Sequence, residues 1–327
     1  DVYVKTENLQ VTGSFKVRGS YFKISQLSDE EKKKGVIACS AGNHAQGVAL
    51  AATKNGIKSL ICLPDGAPIS KVEATKRYGA DVCLVKGVYD DAYNKAIELQ
   101  KEKGYTFIHP FNDPDVIAGQ GTIGLEILEQ LPDVDVVVVP IGGGGLIAGV
   151  AYTIKQINPN CKVYGVQAAG APSMKNSVAD GKIETLKNVQ TIADGIAVKT
   201  PGTNTFELIK KYVDGIYTVS DDEIALAILT LMEQQKLVSE GAGAVPVAAV
   251  MNGKIPDIEG KKVCCLVSGG NIDVTILSRV IERGLKMGGR SASITIALSD
   301  KPGQLLGVSK IVADNGANVV SVNYDST

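Results

Sequence analysis

Short runs of Val, Ile, Leu and Cys recur along the chain and constrain its fold more than any other feature. They fall at 36–39, 60–63, 82–85, 134–139, 163–166 and 263–267. Several are apolar throughout, which is typical of parallel strands whose sheet is covered on both faces. Helix-like segments separate the runs, so the pattern predicts an α/β protein with right-handed crossovers.

The segments between these runs have helical character. They are predicted at 47–54, 70–78, 90–103, 117–130 and 222–235. The last one follows Ser220-Asp221-Asp222-Glu223, where Ser220 and Glu223 have the spacing of a capping box. A chain of 327 residues organised in this way is long enough for two or three domains.

Composition excludes several classes of protein. The net charge is −1 with both signs interspersed, so we predict neither a nucleic-acid surface nor a basic membrane patch. No apolar stretch approaches the roughly 18 residues of a membrane span, and there is no signal peptide. The six cysteines form no CxxC pair, which indicates buried thiols in a reducing, cytoplasmic compartment. The chain opens within a strand-like pattern at 1–5, which suggests a fragment lacking its natural start.

Four consecutive glycines, Gly142, Gly143, Gly144 and Gly145, join the apolar run at 134–139 to a helix-like segment. Glycines let backbone N–H groups converge, and the helix N-terminus behind them favours an anion, so we predict a phosphate cradle. A dinucleotide fingerprint also fits the glycine spacing. Its acidic partner about 20 residues later is missing, because only Gln167 stands near that position. A P-loop is excluded because no Lys-Ser/Thr pair follows the glycines.

Three further motifs accompany this cradle. Ser14-Phe15-Lys16-Val17-Arg18-Gly19 places a lysine between apolar residues, where its amine can be desolvated and act as a nucleophile or base. Ser40-Ala41-Gly42-Asn43-His44 is a strand-to-helix turn whose free backbone donors suit a carboxylate. Ser268-Gly269-Gly270-Asn271 ends the last apolar run. The two histidines, His44 and His109, accompany no nucleophile elbow, which argues against a Ser–His hydrolase.

In this order, the four motifs resemble the fold-type II pyridoxal phosphate (PLP) enzymes, and most closely the threonine dehydratases. The resemblance implies a tryptophan synthase β-like fold with two parallel-sheet subdomains. It implies that Lys16 carries the cofactor, that Gly142, Gly143, Gly144 and Gly145 hold its phosphate, and that Phe15, Asn43 and Ser268 lie against it. By the same resemblance, the loop of Ser40, Ala41, Gly42 and His44 binds the substrate carboxylate. The loops at 191–195 and 239–243 line the site, with Glu240 near the cofactor.

Differences from related families narrow the prediction. Serine racemases have a second serine, which acts as an acid, where this chain has Ala41, and this favours dehydration over racemisation. Cysteine and threonine synthases would have Asp at position 18 and Thr at position 44, where this chain has Arg18 and His44. The positions that match the racemase cation ligands are Gln167 and Ser173. Hard divalent cations prefer charged oxygens, so we predict no Mg²⁺ or Ca²⁺ site, and a monovalent cation stays open as the alternative.

The C-terminal part has a different pattern of predicted elements from the rest of the chain. Gly284, Gly288 and Gly289 predict a linker, followed by a strand at 291–298, a helix at 304–315 and a strand at 318–323. Asp300-Lys301-Pro302-Gly303 before that helix resembles the start of an ACT regulatory domain, an α+β module, of which only the first half is present. The predicted organisation is a large PLP-binding subdomain (1–34 and 113–285), a small α/β subdomain (35–112), and a linker with a partial ACT domain (286–327).

The resemblance implies dehydration and deamination of L-threonine, together with L-serine, to 2-oxobutyrate or pyruvate and ammonia. It leaves isoleucine biosynthesis and threonine catabolism both open as roles. A serine racemase or serine dehydratase of the same fold and a non-catalytic amino-acid sensor are the alternatives. The expected partners are a small amino acid, other copies of the chain in a dimer or tetramer, and a small-molecule effector at the ACT-like tail.

Overall fold

The computed structural model describes residues 1–323 and residue 325. It divides into two compact units, Asp1–Arg290 and Ser291–Thr327. The first unit contains two parallel sheets, one of five strands in the order β1-β9-β6-β7-β8 and one of four in the order β4-β3-β2-β5. The strands are β1 (Val2–Thr6), β2 (Val36–Cys39), β3 (Ser59–Pro64), β4 (Asp81–Val85), β5 (Thr106–Phe107), β6 (Val136–Pro140), β7 (Lys162–Ala168), β8 (Gly215–Val219) and β9 (Val263–Val267).

Twelve helices accompany these strands in the described part of the first unit. They are α1 (Lys16–Ser25), α2 (Asp29–Lys34), α3 (Asn43–Lys54), α4 (Ile69–Arg77), α5 (Tyr89–Lys103), α6 (Pro114–Gln130), α7 (Gly145–Ile157), α8 (Ser173–Asp180), α9 (Thr203–Tyr212), α10 (Asp221–Thr230), α11 (Gly241–Met251) and α12 (Val274–Met287). Short 3₁₀ turns cover Glu7–Leu9 and Asp194–Ile196, and a π-helical turn, Leu231–Gln235, continues α10.

The valine run of β6 shows why the strands are apolar throughout. Val136 and Val138 pack on one face of the five-stranded sheet, in the same cluster as residues of α10 and α11. Val137 and Val139 point to the other face, where α6, α7 and α9 cover them. Because helices cover both faces, alternate side chains are all excluded from water. The predicted α/β class with two parallel sheets is confirmed.

The start of α10 was predictable because side chains cap it. The predicted capping box starts α10: Ser220 accepts from the Glu223 amide, and the Glu223 carboxylate accepts from the Ser220 amide at 2.7 Å. The helix predicted at 47–54 begins earlier in the structure, because Asn43 already belongs to the first turn of α3 and Gly42 is its N-cap.

The predicted linker at 284–290 is wrong over its first part, because α12 continues to Met287. Gly284 is buried within this helix, where an added Cβ would lie 2.9 Å from the Ala225 carbonyl oxygen. The glycine therefore allows α12 to approach α10 closely, and it does not interrupt the helix. The proposed subdomain boundaries at 34/35, 112/113 and 285/286 stay a prediction.

The second unit contains helix α13 (Gln304–Asp314), which confirms the predicted helix. The strands predicted at 291–298 and 318–323 are not formed among the residues described there. A strand exists only through hydrogen bonds to a neighbouring strand, and none of the described residues of this unit provides one. The ACT resemblance stays a prediction. No described helix is both long and apolar enough to cross a membrane.

A cluster of charged side chains joins the N-terminal segment to α1 and α6. Arg18 contacts Glu7 (Nε–Oε2, 2.8 Å) and Glu126 (Nη1–Oε1, 2.7 Å), and Lys5 also pairs with Glu126. The Glu7 side chain is only 2% exposed. A buried carboxylate needs such a partner, because isolation from water penalises the charged form. Arg18 thus fixes the helix that begins with Lys16.

We expect Arg18→Met to destabilise the protein by about 3 kcal/mol, because it leaves the buried Glu7 carboxylate without its partner. The measurement is the midpoint of urea unfolding at unchanged slope. Adding Glu7→Gln, which removes the uncompensated charge, should recover most of the loss. An Arg18→Met variant as stable as the original chain would contradict this account of the cluster.

Candidate active site

A cavity of about 820 Å³ lies where strands of both sheets end. Ser40 follows β2, Gly142 lies just beyond β6, and Ser268 follows β9. Ligand sites of parallel α/β proteins lie beyond the carboxyl ends of the strands, where successive loops diverge. The cavity is lined by every residue predicted for the site: Phe15, Lys16, Ser40, Ala41, Gly42, Asn43, His44, Gly142, Gly143, Gly144, Gly145 and Ser268.

The first residue of α1, Lys16, reaches into this cavity. Its Nζ donates to the Pro110 carbonyl oxygen at 2.7 Å and lies 5.3 Å from the centre of the Phe15 ring. Burial lowers the pKa of this amine to about 8, and the charge of Glu240 opposes part of that lowering. A lysine with such a pKa supplies neutral amine near physiological pH, as a nucleophile or a base must.

The backbone before Lys16 is held against the loop after β9. The Phe15 amide donates to the Ser268 carbonyl oxygen at 3.0 Å, and the Gly270 amide donates to that of Gly13 at 2.9 Å. Ser14 and Gly269 form an antiparallel bridge between these two contacts. Two motifs more than 250 residues apart are therefore fixed in register. The Thr12-Gly13-Ser14 segment makes no side-chain cap for α1, whose N-cap is Phe15.

The glycine loop presents backbone donors to the same cavity. The amides of Gly142, Gly143 and Gly144 donate to no acceptor in the described part of the chain. Gly144 has φ +97°, which disfavours any other residue, and a Cβ at Gly143 would run into the Phe111 ring. Free amides followed by the N-terminus of α7 form an anion site, and its donor set fits a phosphate group. The residues present therefore fit the phosphate end of PLP.

The loop between β2 and α3 forms the opposite wall. The Ser40 hydroxyl accepts from the Gly42 amide at 3.1 Å, which tightens the turn. Asn43 donates from Nδ2 to Glu240 Oε1 at 2.7 Å, and its Oδ1 accepts from Asn271 Nδ2 at 2.8 Å. Ala41 offers only a methyl group. This wall can bind an anion through its backbone, but Ala41 has no proton to exchange.

Both histidine side chains form hydrogen bonds with the backbone of the segment after β5. His44 Nε2 lies 2.8 Å from the Ile108 carbonyl oxygen and donates to it, which leaves Nδ1 as an acceptor. His109 Nδ1 accepts from the amides of Phe111 and Asn112. Burial, with the nearby charge of Lys16, lowers the pKa of His44 to about 3 and that of His109 to about 4. Both rings are therefore neutral at physiological pH, and both hold the segment that follows β5.

Glu240, the N-cap of α11, is the buried carboxyl group that lines the cavity, and it is 6% exposed. Burial raises its pKa to about 7, with a further contribution from Asp194. The hydrogen bond from Asn43 and the charges of Lys71 and Lys16 oppose that rise. Ser268, only 2% exposed, is a neutral group on the same side.

Sequence reasoning missed several groups that line the cavity, among them three that make defined contacts. Pro110 accepts the Lys16 hydrogen bond, Phe111 packs on the glycine loop, and Lys71 pairs with Asp194 at 3.3 Å. Pro110 and Phe111 follow β5, a strand of two residues that no apolar run announces. Because the strand is so short, the sequence offered no signal that would have placed these two residues at the carboxyl edge of the sheet. The contact of Lys71 with Asp194 depends on the packing of the two sheets.

The positions that match the racemase cation ligands are occupied without a charge. Gln167 is fully buried, donates to the Ile141 carbonyl oxygen at 3.3 Å and accepts from the Lys175 amide at 2.8 Å. Over residues 1–323 and 325, no group of three His, Cys, Asp or Glu side chains is close enough to bind a metal ion.

Comparison with known proteins agrees with this geometry. Residues 1–269 match the family model described as pyridoxal-phosphate dependent enzyme. The chain is 57% identical to an L-threonine ammonia-lyase of Thermotoga maritima, over 99% of this chain and 80% of that protein. It is 49% identical to the catabolic L-threonine dehydratase TdcB of Escherichia coli K12, over 86% of this chain and 85% of that protein.

Solved structures show the same relationship. The processed form of threonine deaminase isoform 2 from Solanum lycopersicum superposes with a TM-score of 0.83 at 43% identity, over 86% of this chain and 82% of that chain. Maize serine racemase gives a TM-score of 0.82 at 38% identity, over 88% and 89%. The family model covers most of the chain, and the relatives are similar over nearly its whole length. The chain therefore belongs to the pyridoxal-phosphate dependent enzymes of fold type II.

Proposed function

We propose that this chain is a PLP-dependent threonine ammonia-lyase, which converts L-threonine to 2-oxobutyrate and ammonia, and L-serine to pyruvate and ammonia. The observation that carries the proposal is the buried amine of Lys16 in a cavity that also contains a cradle of free backbone amides. The names of the relatives, L-threonine ammonia-lyase and L-threonine dehydratase, support the choice of substrate.

The residues that would hold the cofactor are those of the four motifs. Lys16 would bind it covalently, the amides of Gly142–Gly145 would bind its phosphate, and Asn43 and Ser268 would contact its ring. Once bound, PLP supplies an electron sink for the pair of electrons left at the substrate Cα. A neutral hydroxyl at Ser268 would keep this sink weaker than a carboxylate would, which favours early loss of the β-hydroxyl.

The protein's own groups supply binding and proton transfer. The turn at Ser40–Gly42 would hold the substrate carboxylate through backbone donors at the start of α3. The Lys16 amine, neutral in part of the molecules near pH 8, would take the Cα proton as general base. One water is lost with the β-hydroxyl, and one is added when the released product is hydrolysed. Overall, one threonine therefore yields one 2-oxobutyrate and one ammonia.

Serine racemase activity is the second candidate, and it is supported by the likeness to maize serine racemase. Racemisation needs an acid on the face opposite the lysine, and Ala41 carries no ionisable or hydroxyl group. A non-catalytic amino-acid sensor is less compatible with a desolvated lysine amine, because burying that amine without use is costly.

We further propose that the chain is a cytoplasmic homo-oligomer. All six cysteines are free, and five of them are buried, which agrees with a reducing compartment. Tyr21 and Phe22 of α1 and Leu125 of α6 are exposed large apolar side chains, as expected of a surface that another copy covers. An effector at the C-terminal unit stays a proposal by resemblance.

Lys16→Ala should abolish both the visible absorbance of the bound cofactor and the production of oxo acid, because it removes the covalent link and the base. The measurements are the absorption spectrum of the purified holoprotein and a coupled assay of 2-oxobutyrate. Lys33→Ala, which changes an exposed lysine of α2, is the matched control and should leave both unchanged. Retention of both signals in Lys16→Ala would rule out the assignment.

The rate at which the apoprotein takes up PLP covalently should rise as the pH increases through about 8. Only the neutral amine attacks the aldehyde, and burial lowers the Lys16 pKa to that value. Below this pH the protonated amine dominates, so uptake slows. The measurement is stopped-flow absorbance after mixing apoprotein with PLP. A transition near pH 10.5, the ordinary lysine value, would contradict a desolvated amine.

Ala41→Ser should introduce measurable racemisation of L-serine, because the new hydroxyl can donate a proton on the face opposite Lys16. The measurement is D-serine formed per pyruvate, with Ala41→Gly as a control that changes size but adds no acid. An unchanged D-serine output in Ala41→Ser would show that a single hydroxyl does not decide between the two reactions.

A further inference from the structure

Four residues form a continuous chain of hydrogen bonds along one wall of the cavity. Glu240 Oε1 accepts from Asn43 Nδ2 at 2.7 Å, and Asn43 Oδ1 accepts from Asn271 Nδ2 at 2.8 Å. Asn271 Nδ2 also donates to the Thr12 carbonyl oxygen at 2.7 Å. Asn43 begins the helix after a strand of the four-stranded sheet, whereas the other three residues flank elements of the five-stranded sheet. The chain therefore connects the two sheets at the site.

The two ends of this chain fix its polarity. The Thr12 carbonyl can only accept, so Asn271 must turn its amide nitrogen toward it, and the second N–H of that group then reaches Asn43 Oδ1. Asn43 must consequently direct its own NH₂ group at Glu240. One N–H of Asn43 is used in this contact, and the other has no acceptor in the described part of the chain.

Glu240 is held firmly enough to fix the other end of this chain of hydrogen bonds. Its backbone amide donates to the Gly269 carbonyl oxygen at 3.0 Å, and its own carbonyl accepts from the Ser239 hydroxyl at 2.9 Å. Gly269 leaves room for the carboxyl group, because a Cβ there would lie 2.5 Å from Glu240 Oε1. No salt bridge in the described structure includes Glu240, and the bond from Asn43 is its one recorded side-chain hydrogen bond.

A buried carboxyl group with one side-chain hydrogen bond lowers the free energy of unfolding. Burial of an acid that makes one hydrogen bond opposes folding, so a purely structural position would be better served by a neutral residue. The raised pKa of Glu240, about 7, reflects the same penalty. The group that benefits is Asn43, whose amide Glu240 holds on one side while Asn271 holds it on the other.

We propose that Glu240 is a positioning residue that acts through Asn43: together with Asn271, it holds the Asn43 amide so that this side chain offers the cavity a hydrogen-bond donor and never an acceptor. The ligand atom that meets Asn43 must then be an acceptor. This step rests on the proposed function, under which the acceptor is the hydroxyl oxygen of the PLP ring in its deprotonated form. Glu240 thereby selects the ionisation state of a group that it does not touch.

The test is a double-mutant cycle on cofactor affinity. The dissociation constant of PLP from the apoprotein is measured by fluorescence titration for the original chain, Glu240→Ala, Asn43→Ala and the double variant. We expect Glu240→Ala to weaken binding about tenfold, since one oriented hydrogen bond contributes about 1.4 kcal/mol. In the Asn43→Ala background, the same change at Glu240 should have almost no effect. An equal loss in both backgrounds would overturn the proposal.

Glu240→Gln separates orientation from charge. The glutamine amide oxygen still accepts from Asn43, so affinity should stay within about threefold of the original chain. The visible spectrum gives an independent reading: the apparent pKa of the bound chromophore should rise in Glu240→Ala and return toward its original value in Glu240→Gln. If Glu240→Gln matched Glu240→Ala in both readings, charge and not orientation would be the cause.

Two controls complete the design. Tyr78→Phe removes another hydrogen bond between distant segments, from the Tyr78 hydroxyl to the Val11 carbonyl oxygen at 2.7 Å, outside the cavity. It should change neither affinity nor spectrum, and a loss like that of Glu240→Ala would reduce Glu240 to a structural contact. Should Glu240→Ala fail to fold, Asn43→Asp replaces the donor with an acceptor and should weaken binding more than tenfold; unchanged affinity would overturn the proposal.

The outcomes also separate this inference from the proposed function. If the unmodified apoprotein binds no PLP, the proposed function fails. If it binds PLP and forms 2-oxobutyrate but Glu240 and Asn43 act independently in the cycle, only the positioning role fails.

Discussion

A single amine, that of Lys16, is largely withdrawn from bulk water where strands of the two parallel sheets end, and the rest of the site depends on this partial burial. Desolvation brings the pKa of Lys16 to about 8, within reach of neutral pH. It requires a continuous wall around the side chain, which the Pro110 carbonyl and the Phe15 ring provide. The ion cluster around Arg18 anchors the same helix from its outer side, so the amine and its support share one element.

Lys16 and Glu240 lie apart in the cavity, unlike Lys71 and Asp194, which pair directly at 3.3 Å. Lys16 and Glu240 influence each other's pKa, yet they form no salt bridge in the described structure. A direct ion pair would hold the lysine protonated and silence it as a base. Separation, with Asn43 interposed as a neutral partner of Glu240, leaves the amine free while the cavity stays close to electrically balanced.

Much of the site could be predicted because its groups lie in compact motifs. Lys16, the glycines at 142–145 and Ser268 each belong to a strand–loop–helix unit, in which local geometry and function need the same residues. The C-terminal segment shows the converse. Its helix, Gln304–Asp314, was predictable from local pattern, but the strands predicted on either side of it are not formed in the described residues, because a strand forms only when a neighbour shares its hydrogen bonds.

The sequence alone determined the α/β class, the alternation of strands and helices, and the residue types of the candidate site, since each follows from apolar periodicity or from a short motif. Tertiary structure decided how these motifs face one another. The contact of Phe111 with the glycine loop, the pairing of Lys71 with Asp194, and the orientation of Asn43 between Glu240 and Asn271 all join segments far apart in the chain. No local pattern encodes them, because their energies arise only once both sheets have packed and the polar groups between them have lost access to water.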